Sequence, residues 1–387
     1  MRSNYKRIGS CIRQINVKNT EGKYDLLLGI NINKYFMPSV ANIVGTDLTR
    51  YKVVKKNQFA CNRMHVGRDY RIPMALSDSE SPFIVSPAYT VFEIIDESNL
   101  LPEYLMMWFS RAEFDRETWF HTDADVRGGL PWDLFCDIEL PIPSIKKQQE
   151  IVNEYNTITN RIALNEKLNQ KLEETAQAVY KHWFVDFEFP DNDGKPYKSS
   201  GGKMIYNEEL DDEIPEGWED AKLSELLEVK YGKDYKHLKS GDIPLYGSGG
   251  IMGYYDKALY EKPSILIPRK GSLDNILFVD EPFWSVDTMF YTIINNESYT
   301  NYLFHFLKKI DYYSLNVGSA VPSMTTKVLN DITILLPSSN TLGNFEALTS
   351  KMLRIVKQND RQQFSLIELA STILSKMSKE ETKTVVV

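Results

Sequence analysis

This chain of 387 residues repeats itself. The string DIELPIPS at 137–144 returns as DITILLPS at 331–338, an offset of 194 residues, and each copy reads as a short strand ended by proline. Upstream, Pro82 and Phe83 followed by Val85, Ser86, Pro87, Ala88 and Tyr89 answer Pro282 and Phe283 followed by Val286, Asp287, Thr288, Met289 and Phe290. Tyr104 and Leu105 answer Tyr302 and Leu303, and across all these matches the offsets run from 198 to 201, so loop lengths differ while the order is kept. A chain built this way must fold as two related halves.

After each proline the pattern turns helical. Steps of four and three from Ile151 reach Tyr155, Ile158, Ile162, Asn165, Asn169, Leu172, Ala176, Val179 and Trp183. From Phe345 the steps reach Leu348, Met352, Ile355, Asn359, Gln362, Leu366, Leu369 and Ile373. Both are 3.5-residue seams with a polar pair at the centre. Pro143 to Asn165 and Pro337 to Asn359 are each 22 residues. At about 1.5 Å per residue, a helix from Ile151 to Trp183 is roughly 50 Å long. Two such helices suit an antiparallel pair about a pseudo-two-fold axis, with Asn165, Asn169, Asn359 and Gln362 fixing the register. The alternative places each helix on its own domain with the asparagines facing water.

The expected fold class is α/β (mixed α+β). Its parts are a first domain over 1–144, a long helix over 145–185, an acidic linker over 186–219, a second domain over 220–338 and a distal long helix over 339–380. Proline, glycine and serine punctuate the linker at 190–202. Within the domains 89–95 and 290–294 read as strands, and 102–116 and 299–309 as shorter helices.

The charge balance is uneven. Lys and Arg number 45 against 53 Asp and Glu, and the net charge of −8 equals the charge of 206–220 alone, which holds eight acids and no base. Against the neutral remainder, Arg50, Lys52, Lys55, Lys56, Arg63, Arg68 and Arg71 are opposed only by Asp69. Such a cluster suits phosphates, and it equally suits a solvated surface. Three scattered cysteines without a CxxC argue against a disulfide framework or a cysteine zinc site and fit a reducing cytoplasm. No apolar run is long enough for a membrane span.

Catalytic constellations are missing. The chain has no GxxxxGK[ST] loop, no HExxH, five histidines without ligand spacing, and no Asn/Asp-Pro-Pro-aromatic tetrapeptide of an adenine methyltransferase. GSGGIMG at 247–253 fails the dinucleotide fingerprint because Met252 stands where glycine is needed, and it reads as a sharp turn. Asp193, Gly194 and Lys195 lie in the linker without a rigid support. What remains is an inventory for reading DNA: Asn62, Arg63, His65 and Arg68 in NRMHVGR, Arg127 in VRGG, Lys233 and Lys236, Arg269 and Lys270 in PRKGS, and Ser319 in GSAVP. Arginine pairs bidentately with guanine and asparagine with adenine, while lysines and backbone amides hold phosphates. The structural alternative makes these glycines turn formers and pairs these arginines with carboxylates.

KHWFVDFEFP at 181–190, GKPYKSSGG at 194–202 and IPEGW at 214–218 identify a family. Together with the repeated halves and paired helices, they make the chain closely resemble specificity subunits of type I restriction–modification systems over essentially its whole length. YGSGG at 246–250, RKGS at 269–272, and Phe283 with Trp284 look like that family's target-recognition domains. NRMHVGR at 62–68, VSPAY at 85–89 and VRGGL at 126–130 resemble a second variety of the same domain. The resemblance implies a non-catalytic reader of double-stranded DNA, each domain recognising one half of a split target and the helices acting as spacer. It implies two modification subunits docked on the helices, and endonuclease/translocase subunits joining them. No cofactor is implied for this chain, while S-adenosylmethionine, ATP and Mg2+ are implied for the partners. A reader serving a methyltransferase-only complex would have the same sequence; a coiled-coil scaffold and a self-contained modification enzyme are the readings from other classes. The two domains differ in their motifs, so contacts cannot be copied from one to the other.

Overall fold

The computed structural model describes residues 4–40, 45–64, 66–122, 128–315 and 323–378. They form two compact units, Met1–Asn165 with Arg361–Val387, and Glu166–Asp360.

The first unit is organised by a four-stranded antiparallel sheet in the order Ile12–Ile15, Thr90–Ile94, Phe59–Cys61, Met74–Leu76. Its side chains alternate as the pleat requires. Phe59, Cys61, Phe92 and Ile94 face a large core with Leu105, Phe109, Phe114 and Phe135, whereas Ala60 and Val91 face a small cluster with Val54, Phe83 and Val85. The second unit has a sheet of the same order and sense: Leu227–Tyr231, Met289–Ile294, Ser264–Pro268, Leu277–Val279. Ile265, Ile267 and Phe290 enter the large core, and Leu266 and Met289 enter a small cluster with Leu245, Phe283, Trp284 and Val286. In chain order both sheets read first, fourth, second, third.

The strands expected at 89–95 and 290–294 are Thr90–Ile94 and Met289–Ile294, the second strand of each sheet. The proline-bounded segments also pair alike. Glu139–Pro141 lies antiparallel to Tyr5–Arg7, and Thr333–Leu336 to Glu219–Lys222. The helix expected over 299–309 is Thr300–Lys309. The one expected over 102–116 is broken into Pro102–Phe109 and Ala112–Phe120. Extended Arg111 interrupts it, its guanidinium stacked 4.0 Å above the Trp108 ring, and the Ser110 hydroxyl bonds back to the Met106 carbonyl at 2.8 Å.

Two long helices follow the proline-bounded strands, Ile145–Phe184 and Ser339–Lys376. In the first unit Ile151, Val152 and Ile158 share a core with Ala370, Ile373 and Met377. In the second, Phe184 meets Phe345 edge-on at 4.9 Å and Tyr302 at 4.7 Å. The seam of the second helix needs a correction. Leu348, Ile355 and Leu369 are 38%, 41% and 46% exposed, while beside them Thr349 and Ala370 are buried and Val356 is half-buried. Both sets keep a 3.5-residue period; small and β-branched side chains occupy the inner positions and leave leucines outside.

Residues 186–219, expected to be a linker, are folded onto the second unit. Met204–Asn207 pairs with Asp212–Pro215 in a hairpin. Phe189 stacks between Tyr197 at 4.6 Å and Trp218 at 4.7 Å, and Phe187 and Trp218 are buried. Aromatic burial fixes a stretch whose Gly, Ser and Pro content reads as flexible.

Candidate nucleic-acid interface

Strand register decides which loops meet. In the second unit Tyr231 lies opposite Phe290, and Pro268 opposite Met289. The loops after 231 and 268 therefore leave the sheet at the edge where Met289–Ile294 begins. One short segment, 285–289, holds both. Gly232 N–H donates to the Met289 carbonyl at 2.9 Å, Lys233 N–H to Ser285 at 2.9 Å, and Arg269 N–H to Thr288 at 2.8 Å. Gly232 is required here, because a Cβ would stand 2.0 Å from the Val286 carbonyl oxygen.

Arg269 joins further pieces. Its Nη1 donates to the Asp287 carbonyl at 3.0 Å, its guanidinium lies 5.3 Å from the centre of the Tyr231 ring, and its own carbonyl accepts from Met324 N–H at 2.9 Å. The Asn275 amide donates to the Ser248 carbonyl at 2.7 Å, tying the loop after Arg269 to the tip of the hairpin Ser240–Gly247 and Gly250–Tyr255. GSGG is thus a hairpin turn. Lys233, Lys236 and Lys270 are exposed on these loops, and among the described residues none has a carboxylate partner within salt-bridge distance.

The first unit repeats this convergence with other residues. Cys61 lies opposite Thr90 and Ile15 opposite Val91, so the loops after 15 and 61 leave where Thr90–Ile94 begins. Arg63 donates from Nε to Thr90 Oγ1 at 3.0 Å and from Nη1 to the Leu130 carbonyl, with Trp132 5.6 Å below. Leu130 N–H returns a bond to the Arg63 carbonyl at 2.9 Å. Gly67 N–H donates to the Gly128 carbonyl at 2.8 Å, so close that a Cβ on Gly67 would lie 2.7 Å from the Gly128 Cα. Arg63 and Gly67 of NRMHVGR are thereby joined to Leu130 and Gly128 of VRGGL, two strings expected separately from sequence.

The sequence-predicted residues divide by environment. Asn62 Oδ1 accepts from Met64 N–H at 3.1 Å, a local turn. Arg68 is exposed and forked onto Asp69 at 2.7 and 3.0 Å. The basic run is partly neutralised or turned inward: Lys56 pairs with Glu80, and Lys52 Nζ reaches the Tyr89 carbonyl, where burial holds its ammonium below the ordinary lysine value. His65, Arg127 and Ser319 lie outside the described residues. In the helical seams Asn165 Nδ2 donates to Gln362 Oε1 at 3.0 Å, and Asn359 Nδ2 to Asn169 Oδ1 at 2.7 Å. Sequence reasoning missed Thr90, Trp132 and Tyr231, whose roles arise from contacts across strands and carry no local signature.

Cys61 is not poised as a thiolate. Burial pushes the Cys61 thiol up to about 12, and among the described residues no three His, Cys, Asp or Glu side chains are grouped to hold a metal ion. Asp193 N–H and Lys195 N–H both donate to Asp191 Oδ1 at 2.9 Å, so that string closes a turn. Among the described residues no helix is long and apolar enough to cross a membrane.

Residues 215–371 match the family described as the type I restriction modification DNA specificity domain. The chain is a relative of type I restriction–modification specificity subunits. It is 27% identical over 317 residues to the type I restriction enzyme MjaIX specificity subunit of Methanocaldococcus jannaschii, covering 73% of this chain and 70% of that one. The HindI specificity subunit of Haemophilus influenzae is 28% identical over 160 residues, 40% of this chain and 34% of its own. The crystal structure of a type I restriction–modification system S subunit from M. genitalium shares the fold at a TM-score of 0.61 and 17% identity, over 96% of this chain and 95% of that one. The family expected from KHWFVDFEFP and its companions is the one found.

Proposed function

We propose that this specificity-subunit relative is the non-catalytic DNA-reading subunit of a type I restriction–modification complex. Each recognition domain reads one half of a bipartite target, and the two long helices, related by the internal repeat, set the spacing and dock two modification subunits. The observation that carries this reading is the recurrence of one sheet order in both units, each with an arginine-anchored cluster of loops at the same strand edge. A rigid sheet edge with variable loops is how a protein presents different side chains to base edges while phosphate contacts hold its register.

Methyl transfer with S-adenosylmethionine, and ATP- and Mg2+-dependent translocation and cleavage, belong in this reading to the partner subunits in the cytoplasm. The test is genome-wide adenine methylation in cells with and without the gene, with the native modification subunit expressed. Loss of one split motif on deletion is the expected result. An unchanged methylome with an active modification subunit would refute it.

A further inference from the structure

We infer that Arg63 and Arg269 are positioning residues of the two reading surfaces, each clasping the loop after a central strand to the segment that follows a glycine-containing loop. This rests on the DNA-reading function and says which side chains build the reader rather than touch the bases. An arginine that reads guanine presents its planar fork outward. Arg63 instead commits Nε to Thr90 Oγ1 and Nη1 to the Leu130 carbonyl, over Trp132. Thr90 is buried, so this partner lies beneath the surface. The Arg63 carbonyl also receives Leu130 N–H, so main chain and side chain of one residue grip one partner from both sides.

Arg269 has the same plan with different atoms. Its carbonyl receives Met324 N–H, its N–H and Nη1 reach the Thr288 and Asp287 carbonyls, and Tyr231 lies beneath the guanidinium. In each domain the arginine thus links the start of the second sheet strand to residues just past the expected glycine loop, Leu130 or Met324. Two different local sequences reach this arrangement, which marks it as a demand of the architecture. Turning the Arg63 fork outward would leave the part-buried Leu130 carbonyl and Thr90 hydroxyl without the donor they now have. The groups left to meet DNA are those on the clasped loops without such ties, Lys270 foremost.

The test uses the full chain, alone and with its modification subunits. Amide exchange of the free chain is measured at Leu130 and at position 269, whose N–H is held by the Thr288 carbonyl beside the Asp287 carbonyl that the side chain grips; Arg63→Ala and Arg269→Ala respectively accelerate these amides at least tenfold, and Arg→Lys does not restore them. Thr90→Val, a change below the surface, accelerates Leu130 in the same way. Exchange in the helix Thr300–Lys309 stays at its wild-type value in all variants, which shows that they fold. In the complex, binding is measured to the methylated motif and to its single-base-pair variants. Arg63→Ala and Thr90→Val weaken discrimination together at several positions of one half-site. Relaxation at a single base pair by Arg63→Ala, with Thr90→Val silent and Leu130 exchange unchanged, would overturn the inference. If the wild-type complex shows no sequence discrimination, the DNA-reading function fails, and the exchange data still decide the clasp.

Discussion

His305 sets a measurable pH dependence on the second unit. Its ring is 3% exposed and lies among Tyr180 at 5.9 Å, Phe304 at 5.3 Å and Phe345 at 5.9 Å. Nδ1 sits 3.0 Å from Gln177 Oε1, which assigns the proton to that nitrogen, and Nε2 has no partner among the described residues. Burial, with Lys308 adding to it, pushes the imidazole down to about 4 from 6.5. As pH falls the unfolded chain takes the proton first, so native stability is lost progressively below 6.5 and the loss is complete below about 4. At 1.36 kcal/mol per pH unit, the loss is about 2 kcal/mol at pH 5 and about 3 kcal/mol in full. Glu346, whose carboxyl burial holds above the ordinary value, acts in the opposite sense, so wild type and His305→Gln are compared at each pH. Urea unfolding at pH 7.5 and pH 5 gives a wild-type loss about 2 kcal/mol larger than that of the variant. Equal pH dependence in the two proteins would refute the argument.

Gly67→Ala puts a methyl 2.7 Å from the Gly128 Cα, where only backbone can yield, and costs the loop contact about 2–4 kcal/mol; Gly249→Ala, with nothing within 4 Å, is the silent control. Amide exchange at position 67 reports the packing, and an acceleration there from the change at 249 equal to that from the change at 67 would contradict the argument. Asn359→Leu deprives Asn169 Oδ1 of its donor and costs about 1–3 kcal/mol, which Asn169→Leu in the same chain largely restores. Additive losses in urea unfolding would show that the two are uncoupled. Seven residues inserted after Leu172 and seven after Val356 keep the 3.5-residue seam in phase and add about 10 Å, close to three base-pair steps of target spacing. Methylome sequencing reads the new spacing, and an unchanged gap in a folded variant would sink the ruler.

Periodic and repeated features were legible from sequence because their cause is local. The prolines that end Glu139–Pro141 and follow Thr333–Leu336, the central strands at 90–94 and 289–294, and the long helices follow from alternation, heptads and ring closure. What depends on distant partners was not legible. Nothing in the sequence around Arg63 announces its contact with the Leu130 carbonyl, 67 residues away. Leu348 outranks Thr349 in any hydrophobic count, yet Leu348 is 38% exposed and Thr349 is fully buried. Residues 186–219 read as a linker by composition, yet Phe187, Phe189 and Trp218 are buried there, through ring partners set in three dimensions.

Each sheet is also a partition. On one side lies the large core that includes a long helix; on the other, the small cluster beneath the segment anchoring the reading loops, with Phe83 and Val85 in one unit and Phe283 and Val286 in the other. The loop clusters touch both sides of that partition: Leu130 and Trp132 in one unit and Met324 in the other belong with the large cores, so the contacts of Arg63 and Arg269 tie the loops to the same packing that holds the long helices.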